Sequence, residues 1–510
     1  MALKSKIPYK QIMNFVQATT LLLILYAGIT LFFVYRGATK TKDMKDFALG
    51  KGFSPWVVGL SLAASITSAA TFIINPGFVA LYGLSAFVAM SVVLPFGLFI
   101  SLIVLSKSFR KYGTSIKALT LAQWMGTRYN SRFFTYLMAV ISLLLITFIV
   151  LICVGLTKVI AGALAADEIY VLVGLVIFVF GYTMFGGANS MVYTNTIQAI
   201  LMIIVAVILI FSGSDHFEAG IDGFWTKVSA IDPKMTLIYN DSSPLFRDFF
   251  EVVICNFIVG IAIVCQPHII TRSLMLKHDD DVNTYLTIAI VVETLFFMVL
   301  FAGFYARFLF PDLMNDGLPL KMDGILTAYV VKKFTVGVGI LVVLGLISAG
   351  LSTLEGIVQS LSTTITNDLI LPFSGVQKTD HQQKIINRMV IIGLAGIAIF
   401  ASRYQLLYPN LSVGILAQNG VYAYFSAAFI PVLFGIYFKH TPKQAAIGAA
   451  ITACIVHFSV YYGSLTPYTS GNVKNPAVAA ALAIIASFVV GTILYFLYSK
   501  KENIPSVSHE

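Results

Sequence analysis

The chain has 510 residues, of which 58% are hydrophobic and 11% charged. A soluble domain carries about 25% charged residues, so a soluble enzyme or binding module is excluded. The net charge of +10 sits in short loops between apolar runs, which is the pattern that orients membrane helices, not one that binds nucleic acid.

Runs of 18 or more apolar residues recur along the chain, and each can cross a bilayer core of about 30 Å as a helix. The chain is therefore expected to be an all-α polytopic membrane protein. About thirteen spans are predicted, at 14–36, 54–80, 84–106, 131–163, 168–185, 190–212, 248–271, 283–307, 334–369, 385–402, 409–438, 442–462 and 475–499. They are numbered 1 to 13 below. No stretch outside them is long enough for a soluble domain. The tract Phe15 to Phe33 is too long for the apolar region of a cleavable signal peptide. Cys153, Cys255, Cys265 and Cys454 all fall in apolar spans. They read as small hydrophobes without disulfide or metal spacing.

Loop charges predict the orientation. Lys40, Lys42, Lys45 and Lys51 precede span 2, and Lys107, Arg110, Lys111, Lys117 and Arg128 follow span 3. Arg272 and Lys277, Lys378 and Lys384, Lys439 and Lys443, and finally Lys500 and Lys501 continue the alternation. All lie after odd-numbered spans, which places the N-terminus outside and the C-terminus inside. Lys4, Lys6 and Lys10 run against the pattern. The loop 213–247 carries Asp215, Glu218, Asp222, Asp232 and Asp241. Residues 117–127 are expected to form a short helix.

Two spans carry interruptions. Span 2 contains AlaAlaSerIleThrSer (63–68) and AsnProGly (75–77), and span 7 contains CysGlnProHis (265–268). Proline removes a backbone donor and clashes with the preceding turn, so each helix should break or kink there. The two spans are five apart and so run in opposite directions. Spans 2–6 and 7–11 thus form two inverted five-helix units, at about 54–212 and 248–438. The peripheral helices are 14–36, 442–462 and 475–499. Matched broken helices in inverted halves mark a transporter site near the bilayer midplane.

Span 9 contains IleSerAlaGlyLeuSerThrLeuGlu (347–355). Ala349, Ser352 and Thr353 share one helical face. Their carbonyl and two hydroxyls, with the carbonyls of Ala64 and Thr67 freed by the break in span 2, make five oxygens suited to sodium. A transition metal would want His or Cys. The same small residues also suit plain helix packing.

Four segments are similar to the sodium:solute symporter family (solute carrier 5-like). They are SerLeuAlaAlaSerIleThrSer (61–68) with Asn75-Pro76-Gly77, PheGlyGlyAlaAsnSerMetValTyrThrAsnThrIleGln (185–198), GlnProHisIleIleThrArg (266–272), and the Ala349–Thr353 motif. The resemblance covers nearly the whole chain and implies a LeuT-type 5+5 inverted repeat. It also implies that Ala64, Thr67, Ala349, Ser352 and Thr353 hold the co-transported Na+. GlnProHis resembles the branch that carries proline, monocarboxylates and pantothenate. The expected function is sodium-coupled import of a small organic solute, an amino acid or small carboxylate, across a cell membrane by alternating access. A proton-coupled symporter, a sodium-coupled sugar or vitamin transporter and a transporter-fold sensor are the alternatives. Partners are the solute and the lipid bilayer, with no nucleic acid and no enzymatic step. The sequence gives no oligomeric state.

One departure stands out. Many members have ThrAsp where this chain has Thr194-Asn195, and hydroxyls where it has Glu355 and Gly356. A second ion between Asn195 and Glu355, a proton on Glu355, or a hydrogen bond between the two side chains all remain open. Candidate solute contacts are Thr71, Asn75, Gln266, Gln418, Asn419 and the mid-span Glu293. His268, beside Pro267, is expected to be structural.

Overall fold

The computed structural model describes residues 9–502, apart from Lys51, Lys117, Asp316, 375–377, 409–412 and Lys439. Lys4, Lys6, Lys51, Lys117 and Lys439, which entered the loop charges, lie outside the described residues, as do the side chains of Lys10, Lys500 and Lys501. The described chain is nearly all helical, with a two-residue hairpin at Met314–Asn315 and Leu318–Pro319.

Among the described residues, ten helices are long and apolar enough to cross a membrane, and two further pairs meet the test together but are sharply bent. One of the ten, Glu168–Phe211, runs 44 residues with non-helical backbone at Gly187 (φ 53, ψ −150). At about 1.5 Å per residue it is roughly twice the length a bilayer core needs. It corresponds to spans 5 and 6, joined at the PheGlyGly turn. Glycine is required at 187, because an added Cβ would lie 2.7 Å from the Phe47 carbonyl oxygen.

Both expected breaks are present. Pro55–Ile66 and Ala70–Tyr82 meet at 55°, and Phe250–Ile263 and Pro267–Met275 at 59°. In span 2 the break falls at Thr67, which leaves the helix with φ −79 and ψ 101. Pro76 does not interrupt the span. It sits at the second position of the helix Asn75–Tyr82, directly after a wide π turn at Ala70–Ile74. There the missing donor costs little, since the first N–H groups of a helix have no partner within it. In span 7 the break comes just before Pro267, which opens the next short helix.

The two broken spans do run in opposite directions. Phe53, at the start of span 2, donates its N–H to Met275 O at 2.9 Å, beyond the end of span 7, and accepts from Lys277 N at 3.1 Å. Span 9 is the unbroken helix Val336–Thr364, with every residue from Val342 to Thr364 buried. It packs against Glu168–Phe211, Ile146–Leu164 and Pro55–Ile66. The first helix, Tyr9–Ala38, rests on the outside of Glu168–Phe211 and leaves Leu21, Ile24, Leu25 and Tyr35 exposed. Leu121–Arg128 forms the expected short helix, capped by the Thr120 hydroxyl, but it is tucked inward with Trp124 fully buried.

A candidate ion and solute site

The break in span 2 uncovers backbone carbonyls opposite the middle of span 9. Ser352 Oγ donates to Ala64 O at 2.7 Å and lies 3.1 Å from Ala349 O. Thr353 Oγ1 donates to Ser65 O at 3.0 Å and lies 3.4 Å from both Thr67 O and Ala349 O. The five oxygens expected from the sequence thus converge from two helices far apart in the chain. Ala64, Thr67, Ala349, Ser352 and Thr353 are all fully buried. Oxygens at these separations can share one small hard cation, whose ligands lie at about 2.3–2.6 Å in the case of calcium. None of the five is charged, which disfavours a divalent ion.

Glu293 does not join the solute contacts. Its Oε2 accepts from the hydroxyl of Thr67 at 2.8 Å, and its Oε1 has no partner among the described residues. It therefore stands behind the five oxygens, one side chain removed.

Asn195 and Glu355 do not bond to each other; other side chains link them. Glu355 accepts from Tyr182 OH and Gln198 Nε2 (3.1 Å) on one oxygen and from Thr194 Oγ1 (2.7 Å) on the other. The Asn195 amide, turned so that its oxygen meets donors, accepts from Ser65 Oγ at 2.9 Å and Arg272 Nη2 at 3.1 Å. It then donates to Gln198 Oε1 at 3.0 Å. Arg272 also donates to Ser61 Oγ at 2.8 Å and Ser65 Oγ at 2.5 Å. The loop-charge pattern had counted Arg272 as a surface cation, yet it is fully buried. Its place in the core rests on acceptors from span 2. The signal available in the sequence was Ser61 and Ser65, four apart and so on one helical face.

A cavity of about 100 Å³ opens beside the two breaks. Of the expected solute contacts, Thr71, Asn75, Gln266 and Gln418 line it, among Met90, Phe148, Phe297, Tyr422 and Phe425. Asn419 does not; its amide bonds Tyr462 OH at 3.0 Å and His457 Nε2 at 2.9 Å, a packing contact between spans 11 and 12. His268, expected to be structural, also lines the cavity. Both of its ring nitrogens, with Asn75 Oδ1 and Gln266 Oε1, are buried and unpartnered among the described residues. Buried polar atoms without partners cost free energy that a bound solute can relieve. Among the described residues no cluster of His, Cys, Asp and Glu is arranged to hold a metal ion, and the four cysteines are free.

Two inverted broken helices, a carbonyl and hydroxyl nest between them and span 9, and a cavity alongside define a multi-pass secondary transporter. The family model for "Sodium:solute symporter family" matches residues 47–453, and the chain belongs to that family. It is thus a sodium-coupled solute symporter of the cell membrane, with Na+ as the co-transported ion. It is 26% identical to the sodium/pantothenate symporter of Escherichia coli (strain K12) over 479 residues, covering 92% of this chain and 94% of the relative. It is 25% identical to sodium/proline symporter 2 of Staphylococcus saprophyticus subsp. saprophyticus, covering 96% and 95%. Its fold is similar to the substrate-bound outward-open state of a Na+-coupled sialic acid symporter, with a TM-score of 0.77 at 17% identity, covering 94% of this chain and 98% of that one.

Proposed function

We propose that one sodium ion occupies the point where the Ala64, Thr67 and Ala349 carbonyls meet the Ser352 and Thr353 hydroxyls. Its inward movement drives uptake of a small solute bearing a carboxylate, of the amino-acid or small-carboxylate class. The chain crosses the membrane thirteen times, N-terminus outside and C-terminus inside. Its core is the pair of inverted repeats at 54–212 and 248–438, with 14–36, 442–462 and 475–499 peripheral.

The observation that carries this reading is the 2.7 Å approach of Ser352 Oγ to Ala64 O, which brings span 9 to the open end of broken span 2. A hydroxyl can rotate, so the oxygens that now donate to carbonyls can turn a lone pair toward a cation. The solute class is supported by the cavity. Asn75 Oδ1 and Gln266 Oε1 are acceptors without donors, suited to an ammonium or amide N–H. The unpartnered His268 ring offers an N–H to a carboxylate. Pantothenate and proline, named for two similar proteins, both carry a carboxylate.

Sodium joins the half-helix of span 2 to span 9 and holds the solute cavity in shape. Solute binding closes the outer side. Loss of the ion to the cytoplasm frees span 2 to move and opens the inner side. One inward cation supplies about 2.3 kcal/mol per 100 mV, plus its concentration gradient.

The test has two stages. A thermal-shift screen of the purified protein against amino acids, monocarboxylates, sugars and vitamins, with and without sodium, identifies the solute. Uptake of that solute into proteoliposomes is then measured with and without an inward sodium gradient. Accumulation that proceeds equally without the gradient would sink the proposal.

A further inference from the structure

Six charged side chains are buried among the described residues: Arg110, Glu251, Arg272, Glu293, Glu355 and Asp368. Two have ion-pair partners, Arg110 with Asp279 at 2.7 Å and Glu251 with Arg247 at 2.6 Å. Asp368 lies beyond the end of the helix Val336–Thr364 and accepts from Thr120 Oγ1 at 2.5 Å. Arg272, Glu293 and Glu355 remain, grouped around the break in span 2.

A charge buried this deeply is either compensated in place or discharged by a proton, because an uncompensated one costs several kcal/mol. Arg272 and Glu355 make no direct ion pair, but two side-chain amides link them. The Asn195 amide accepts from the guanidinium and donates to Gln198, and Gln198 donates to the carboxylate. The guanidinium also lies against Gly356, next to Glu355, where an added Cβ would be 3.4 Å from Nη2. Both carboxylate oxygens of Glu355 already accept from fixed donors. Glu293 differs. It has one hydrogen bond, from the Thr67 hydroxyl, one oxygen without a partner, and no ion pair among the described residues. The carbonyl of that same Thr67 is one of the five converging oxygens.

We propose that the chain binds a single sodium ion, with Glu293 as its counter-charge behind the five oxygens and Arg272 as a resident cation occupying the place beside Glu355 where a second sodium would sit. The inference rests on the site assigned under Proposed function and adds its charge balance. With Glu293 ionised, two carboxylates and one guanidinium leave one negative charge for a mobile cation, and that charge adjoins Thr67. Glu293 touches no ion directly. It acts through Thr67 and through its field.

Equilibrium binding of radiolabelled sodium to the purified full-length protein, with choline holding ionic strength constant, counts the ions. One ion per chain is expected, and none in the Ser352→Ala/Thr353→Ala double variant. Two ions in the unmodified chain, one of them kept by the double variant, would overturn this inference and leave the site assignment standing. No ion in the unmodified chain would overturn both. Glu293→Gln keeps an acceptor for the Thr67 hydroxyl while removing the charge. It is expected to weaken sodium binding by about tenfold or more, with little change in the melting temperature measured without sodium. An unchanged sodium affinity would remove the counter-charge role. Arg272→Gln is expected to admit a second ion beside Glu355, and a folded variant that still binds one overturns the role given to Arg272. Should that variant not fold, the count in the unmodified chain decides.

Discussion

Ser352 and Ala64 stand 288 residues apart in the chain, and the hydroxyl of one donates to the carbonyl of the other at 2.7 Å. Thr353 makes the same kind of contact to Ser65 O at 3.0 Å. Each hydroxyl is thus both a strut between two helices and a ligand for the ion proposed there. Ser352→Ala and Thr353→Ala are each expected to raise the sodium concentration for half-maximal uptake by about tenfold, or about 1.4 kcal/mol. The maximal rate at saturating sodium should fall less. Sodium titrations of uptake in proteoliposomes check this.

A substitution at His268 is expected to separate solute binding from ion binding. Its ring lines the cavity but makes none of the five-oxygen contacts. His268→Leu should weaken binding of the solute found in the screen by about fivefold to thirtyfold, the worth of one or two kcal/mol of lost polar contact. Sodium binding should be unchanged, read by the sodium-induced shift in melting temperature without solute.

Gly187 carries the turn between spans 5 and 6 at φ +53, and a Cβ there would meet Phe47 Cδ2 at 2.6 Å. With ψ at −150 this backbone lies in a region open almost to glycine alone, and another residue there costs about 1–3 kcal/mol before any clash. Gly187→Ala should lower the melting temperature and the yield of folded protein. A melt within a degree of the unmodified chain would show that the turn relaxes.

On the side of the molecule where span 7 begins, Arg247 grips Glu251 with three hydrogen bonds, from its backbone N–H, Nε and Nη2. Asn475 Nδ2 donates to the same carboxylate at 2.9 Å, which ties the start of span 7 to the start of span 13. Glu251 is fully buried, so Arg247→Ala leaves a charge without its partner and should cost about 3–5 kcal/mol. The exposed pair Lys234–Asp241, at 2.8 Å, is the control. Lys234→Ala should leave the melt unchanged, because water screens an exposed pair. Parallel melts of the two variants make the comparison.

Much of this protein follows from local sequence. Apolar runs of membrane length can only be helices in lipid, since every backbone group must bond within its own segment. The break at Ile66–Ser68 and the proline at 267 were visible because helix disruption is a local property of the chain. The facing of Ala349, Ser352 and Thr353 was visible because helical spacing puts them on one side. Tertiary structure decided what those local patterns could not carry. Arg272 looked like a loop cation, and only packing reveals that Ser61, Ser65 and Asn195 enclose it. Asn419 turned toward Tyr462 and His457 while His268 lines the cavity, because which way a side chain faces across a helix bundle depends on neighbours from distant spans. Asn195 and Glu355, neighbours by inference, turned out to be joined through Gln198. A buried charge is compensated by whatever lies within a few ångströms of it, and that set is drawn from the whole chain at once.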